Sequence, residues 1–148
     1  MQDTQTALPA DRSDCNCLAL RQAARHVSQI YDRHLAAAGL KATQYAILAR
    51  LNRLGPLSIN ALARLMVMDR TTLGRAIRPL ERDGLLAVGP GEDGRIRSLR
   101  LTAAGRQRLK AAARKWREAQ SEFEKAFGAN EAEALRNVLR RVISATGG

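Results

Sequence analysis

The stretch MDRTTLGRAIRPLERDGLL, residues 68–86, sets Arg70, Arg75, Arg78 and Arg82 within one candidate helix. A guanidinium carries a rigid fork of N–H donors that fits the O6 and N7 acceptors of guanine or the oxygens of a phosphate. At 100° per residue, Leu73, Ile77 and Leu80 fall on one stripe, while Thr71, Arg75, Arg78 and Arg82 gather on the opposite one. One side is built for burial and the other for water or a polyanion. Because basic outer faces are common on surface helices, the stripe gains meaning only from its context.

Thiol chemistry is the other candidate. Cys15 and Cys17 open the stretch DCNCLALRQAARHVSQIYD, where a helix N-terminus favours the thiolate. They are too close in sequence to act as a loop-closing staple, so both are expected as free thiols in a reducing compartment. Two readings stand open: a redox-sensing pair, or one thiol packed as a small hydrophobe at an interface with the other incidental. No metal is expected, since His26 and His34, the only histidines, lack the usual ligand spacing from the cysteines. No cofactor is expected either. Neither histidine has an evident route to activate a thiol and no Gly-rich phosphate loop is present, so the chain is not read as an enzyme. Tyr31 and Tyr45 are candidates to line an effector pocket, or else are core aromatics with hydrogen-bonded hydroxyls.

The elements that must position these residues follow from periodicity and caps. A first helix is expected over residues 13–38, with Leu20, Ala24, Val27, Tyr31 and Leu35 in step and Gly39 as its stop. Thr43 reads as the N-cap of a second helix carrying Ile47, Leu48, Leu51 and Leu54, ended by Gly55 and Pro56. Ser58 caps a short third helix, INALARLM, with Ile59, Leu62 and Leu65 as its apolar stripe. After a turn at VMD, Asp69 caps the arginine-bearing helix. Two short helices joined this way form a helix-turn-helix, whose second helix enters the major groove with its N-terminal residues nearest the bases. Pro79 lacks an N–H and crowds the carbonyl of Arg75, so a kink is expected there before Leu80 resumes the stripe.

Beyond it, LLAV and IRSLRLT flank GPGEDGR and read as a β-hairpin with Arg95 and Arg97 at or beside its tip. Such a hairpin is a wing, and an arginine there can reach into the narrow minor groove. Thr102 then caps a long helix with Leu109, Ala112, Trp116, Phe123 and Phe127 on one face; Asn130 and Glu133 are spaced as a capping box for a last helix carrying Leu135, Val138, Leu139, Val142 and Ile143. These helices have more apolar surface than one small winged helix can cover. The excess, Trp116 included, is read with the first helix as a dimer interface.

Composition narrows the partner. Lys plus Arg number 25 against 14 for Asp plus Glu in 148 residues, a formal charge of +11, which points to a polyanion. No spanning apolar run and no aromatic-anchored amphipathic segment favours a membrane. With aromatics at 3%, stacking on single-stranded bases has little material, and duplex DNA is the better partner. The N-terminal residues show no secretory pattern, so a cytoplasmic protein is expected.

In this order, GLKATQYAIL, LSINALARLMVMDRTTLGRAIRPLERDGLL and EDGRIRSLRLTAAG, followed by two C-terminal helices, resemble the multiple antibiotic resistance regulator (MarR) family from about Cys15 to Ile143. The wing pattern is carried by Asp93, Arg95, Leu101, Thr102 and Gly105. The resemblance implies a mainly α fold with a small β-hairpin wing: a winged helix-turn-helix flanked by N- and C-terminal dimerisation helices. It divides the chain into a disordered tail over 1–12, a dimerisation helix over 13–38, the DNA-binding lobe over 39–102 and C-terminal dimerisation helices over 103–148.

By position, Arg70, Thr71, Thr72, Arg75 and Arg78 carry over as major-groove and phosphate contacts, Arg95 as the minor-groove arginine, and Asp93 as the residue that orders the wing; Arg97 joins them as a wing cation. The implied protein is a homodimer on a pseudo-palindromic operator, a repressor released by a small aromatic compound or by thiol oxidation. Some relatives sense organic hydroperoxides through a cysteine placed like Cys17, with tyrosines of which Tyr31 matches one, while Ala42 stands where another would be. A non-specific architectural DNA-binding protein and a thiol-based redox enzyme remain the alternatives.

Overall fold

A computed structural model of the chain describes residues 13–147; the expected tail over 1–12 lies outside them. Helix α1 spans Asn16–Leu35 and runs into a single 3₁₀ turn, Ala36–Ala38, which Gly39 ends at φ 72°. Helix α2 covers Ala42–Leu54. Its N-cap is Lys41, not Thr43: the Gln44 side chain accepts from the Lys41 N–H, and Asp32 of α1 accepts from the Ala42 N–H at 2.7 Å. The expected cap therefore sits inside the first turn, because a carboxylate from a neighbouring helix supplies the acceptor. Gly55, at φ 79°, stops the helix as expected.

Strand β1 is the pair Leu57–Ser58, too short to leave any periodicity in the sequence. Ser58 also caps α3, Ile59–Met66, by accepting from the Ala61 N–H. Leu62 and Ala63 are the buried residues of α3, whereas Leu65 is 48% exposed and does not belong to the inward stripe. A helix of eight residues has two turns, and which residues it buries is set by the neighbours it packs on. Helix α4 spans Arg70–Arg82 and buries Leu73, Ile77 and Leu80, the stripe read from the sequence. It continues through Pro79 to Arg82.

Strands β2, Leu86–Pro90, and β3, Arg97–Leu101, form the hairpin, and β1 adds to the other side of β3, giving a three-stranded antiparallel sheet ordered β1-β3-β2. Leu86 pairs with Leu101 and Val88 with Leu99, so the apolar side chains of both strands share the inner face. Leu99 pairs with Leu57 on the other side.

Thr102 caps α5, Ala103–Phe127, and its hydroxyl both accepts from the Gly105 N–H and donates to the Gly84 carbonyl at 2.6 Å. Gly105 is required by packing. A Cβ there would stand 1.9 Å from the Leu85 carbonyl oxygen, so α5 can press against the chain entering β2 only if this side chain is absent. Helix α6, Ala129–Thr146, follows a break at Gly128, which is its N-cap with φ 107°; Asn130 lies within the helix, and no side-chain capping box forms.

Leu35, Ile47, Leu48, Leu51, Leu62, Leu73, Leu80, Leu86 and Leu99 are the largest fully buried side chains, drawn from α1 to α4 and the sheet. Helix α1 lies against α5 through a row of polar contacts at one end. Tyr31 donates to Gln120, Arg33 pairs with Glu122 at 3.3 Å, and His34 faces Glu118 and Glu122 at 3.6 and 3.5 Å. Val138, Leu139, Val142 and Ile143 of α6 and Leu20 of α1 remain exposed in the single chain. Among the described residues, no helix is long and apolar enough to cross a membrane.

Candidate nucleic-acid interface

The start of α4 is built by Asp69. Its carboxylate accepts from the Thr72 N–H at 2.7 Å and from the Thr72 hydroxyl at 3.1 Å. These bonds, the backbone one first, hold the Asp69 carboxyl below its ordinary range, with the Thr71 N–H and the Arg75 charge adding to them. The arrangement fixes the first turn and separates the two threonines. The Thr72 hydroxyl gives its proton to Asp69, whereas that of Thr71 makes no hydrogen bond among the described residues and is free to donate to a phosphate oxygen.

On the face opposite the buried stripe Arg75, Arg78 and Arg82 are exposed, and Arg70, the first residue of the helix, is exposed as well. Among the described residues, Arg82 pairs with Asp83 at 3.4 Å, but Arg70, Arg75 and Arg78 have no carboxylate within ion-pair distance, and Arg75 acts on Asp69 only from further off. The buried stripe of Leu73, Ile77 and Leu80 fixes the helix on the core, so the arginines project from a rigid support. Immediately before α4, Val67 adopts φ 54° and ψ 47°, a left-handed conformation costly for a β-branched residue. It lets the Met68 N–H return to the Ala63 carbonyl and so makes the turn between the two helices tight.

The wing tip is closed by two backbone bonds. The Gly91 N–H donates to the Ile96 carbonyl at 2.7 Å, and the Gly94 N–H donates to the Gly91 carbonyl at 2.9 Å. A Cβ on Gly91 would lie 2.8 Å from the Ile96 oxygen, so glycine is needed for this approach. Glu92, Asp93, Arg95, Ile96 and Arg97 are exposed around the tip. Asp93 acts there through its backbone carbonyl, which accepts from the Arg95 N–H; its carboxylate makes no hydrogen bond or ion pair among the described residues. Arg95 and Arg97 are likewise unpaired within that set, and Arg100, which the sequence reading did not single out, is a further exposed cation on β3.

Some cations on α1, α5 and α6 are paired instead. Arg33, Arg114, Lys115 and Arg136 all lie within 4 Å of a carboxylate. The arginines of α4 and the wing, apart from Arg82, make no ion pair among the described residues, so a polyanion can meet them without first displacing a protein partner.

Tyr31 and Tyr45 are brought together. Both line an open cavity of ≈ 380 Å³ with Leu35, Ala42, Arg50 and Trp116. The Trp116 ring stacks on that of Tyr45 with centroids 6.1 Å apart and planes 12° off parallel. Trp116, half-buried, thus packs within its own chain on Tyr45 of α2. Burial raises the pKa of both phenols, and for Tyr31 the neighbouring Glu124 carboxylate adds to the effect.

Cys15 and Cys17 are both free and exposed. Cys15 is the N-cap of α1, with its Sγ accepting from the Leu18 N–H at 3.4 Å, and Cys17 stands within the first turn. His34 is engaged with glutamates of α5, remote in the fold from the thiols. Among the described residues, no three His, Cys, Asp or Glu side chains cluster in a way that could hold a metal ion.

Comparison with known proteins agrees with this geometry. The model of the MarR family matches residues 40–96, from the last turn before α2 to the wing tip. The chain is similar to the uncharacterized HTH-type transcriptional regulator YxaD of Bacillus subtilis, at 30% identity over 70% of this chain and 73% of that protein. It is similar also to the transcriptional activatory protein BadR of Rhodopseudomonas palustris, at 35% identity over 70% of this chain and 62% of that protein. Among solved structures, the transcriptional regulator MosR of M. tuberculosis in complex with DNA is 33% identical, with a TM-score of 0.76 over 90% of this chain and 99% of its own.

Proposed function

The chain belongs to the MarR family of DNA-binding transcriptional regulators, and on that premise we propose that it acts as a homodimer on a pseudo-palindromic operator and represses the genes beside it. The observation that carries this reading is the set of exposed, unpaired arginines on α4 and the wing, held on two elements of one rigid core. Arg75 and Arg78 read base edges in the major groove; Arg70, Thr71 and the first N–H groups of α4 hold phosphates; Arg95 and Arg97 reach the minor groove from the wing. Thr72 supports this set through Asp69, holding the first turn in place.

Dimerisation uses the apolar faces that α1 and α6 leave exposed, which places residues 13–38 and 103–148 at the interface and 39–102 over the DNA. Release from DNA follows entry of a small aromatic compound at the cavity lined by Tyr31, Tyr45 and Trp116, or oxidation of the Cys15 and Cys17 thiols. Repression is the reading favoured here, although BadR, a relative, is by name an activator.

The test is binding of the reduced protein to its own promoter DNA and to a scrambled duplex at matched salt, repeated after mild hydroperoxide and after an aromatic acid such as salicylate. Preference for the promoter, lost with one of the two treatments and restored on its reversal, is the expected result. Equal affinity for both duplexes would favour the architectural alternative. Peroxide turnover abolished in Cys17→Ser would favour the enzyme.

A further inference from the structure

We propose that Ile96 is an apolar reader of the minor groove, a specificity residue distinct from the arginines on either side of it. In GPGEDGRIR, residues 89–97, Ile96 is the one large aliphatic side chain in a turn otherwise made of glycine, proline and charge. It is 53% exposed. It lies in the turn just before β3, beyond the last paired position of the register, and lines an open surface cavity with Pro90, Arg97, Ser98 and Arg100. The Ile96 carbonyl is held by the Gly91 N–H at 2.7 Å, an approach that glycine alone permits, so the side chain is carried on a fixed backbone.

Arg95 and Arg97 flank it and are themselves exposed and unpaired among the described residues. A cationic tip draws the wing onto the minor groove, and a rigid β-branched residue between the two cations is then brought against sugars and base edges. Aliphatic side chains serve as wedges at such sites. An A·T pair offers them a smooth floor, whereas the exocyclic amino group of guanine projects into the groove and would be left without a hydrogen-bond partner against isoleucine. Ile96 therefore adds a preference for A·T pairs under the wing that leaves the number of phosphate contacts unchanged.

This inference rests on the operator-binding reading, and the experiment separates the two. The base pairs under the wing are located by hydroxyl-radical footprinting on the promoter duplex and then made A·T, G·C or inosine·C. Inosine lacks the amino group and so resembles A·T in the minor groove and G·C in the major. Affinities of wild type, Ile96→Ala and Ile96→Leu are measured over a range of salt. Ile96→Ala is expected to lose about ten-fold on A·T and inosine·C duplexes and little on G·C, with an unchanged salt slope, and Ile96→Leu to retain most of the preference. Thermal unfolding of the variants should match wild type, since the side chain is exposed. Wild-type affinity of Ile96→Ala on all three duplexes, or an equal loss on all three, would overturn the proposal while leaving operator binding intact. Failure of wild type to prefer the promoter over scrambled DNA would overturn the reading beneath it.

Discussion

Arg75 and Arg95 both lack an ion pair among the described residues, yet the proposed complex gives them different work. Arg75 sits one turn into α4, on the face opposite Leu73 and Ile77, where a fork can reach a guanine. Arg75→Ala is expected to relax sequence preference by about 1 to 3 kcal/mol of discrimination. In that proposed complex Arg95, on the wing, meets a groove whose attraction is largely electrostatic; Arg95→Ala should weaken all sequences more evenly and reduce the salt slope by about one per protomer. Anisotropy titrations on promoter and scrambled duplexes at several salt concentrations separate the two. Gly105 makes a second case at this scale. Gly105→Ala forces a Cβ onto the Leu85 carbonyl and the Leu101 side chain, and should cost about 3 kcal/mol in urea unfolding. The sequence displayed Gly105 as part of a family pattern, but the reason for it, a carbonyl from a segment 20 residues earlier, is visible only in the fold. The stacking of Trp116 is hidden from the sequence for the same cause, since its partner Tyr45 comes from a distant helix.

Among the elements, those whose ends are capped by their own side chains were legible. Ser58, Asp69 and Thr102 each stand at the fixed offset from which a side-chain oxygen meets an N–H three residues on. The starts of α2 and α6 were misread at Thr43 and Asn130, because Asp32 from another helix serves the first and a glycine without a side chain begins the second. The inward stripe of α4 was clear over 13 residues, whereas α3, with eight, left Leu65 on the wrong side. The Asp69 cap also gives α4 a dependence on pH. Its carboxyl is held below the ordinary range in the folded chain, so the stabilisation it brings is present above the unfolded carboxylate value of about 3.9 and lost as pH falls through the lower folded one. The Thr72 amide resonance should follow that titration and move upfield as the bond weakens, while in Asp69→Asn the acid transition is absent. A Thr72 amide that did not change between neutral and strongly acidic pH in the wild type would contradict the assignment of the cap.

For the whole molecule, a charge of +11, exposed arginines without ion pairs on α4 and the wing, and exposed apolar faces on α1 and α6 fit the proposed body that joins a copy of itself on one side and DNA on another. The charge and the winged lobe were readable from composition, caps and the hairpin signal. The uncovered apolar stripe of α6 was readable too, since Val138, Leu139, Val142 and Ile143 stand in step and are exposed in the single chain. In the proposed dimer, two winged lobes related by a twofold axis must meet the duplex on one face, with recognition helices about 34 to 36 Å apart. The most direct measurement is therefore a hydroxyl-radical footprint of the reduced protein on its own promoter. The account predicts a bounded footprint of two symmetric protected segments about one helical turn, roughly 10 base pairs, apart. Protection spreading along the DNA without boundary or symmetry would contradict it.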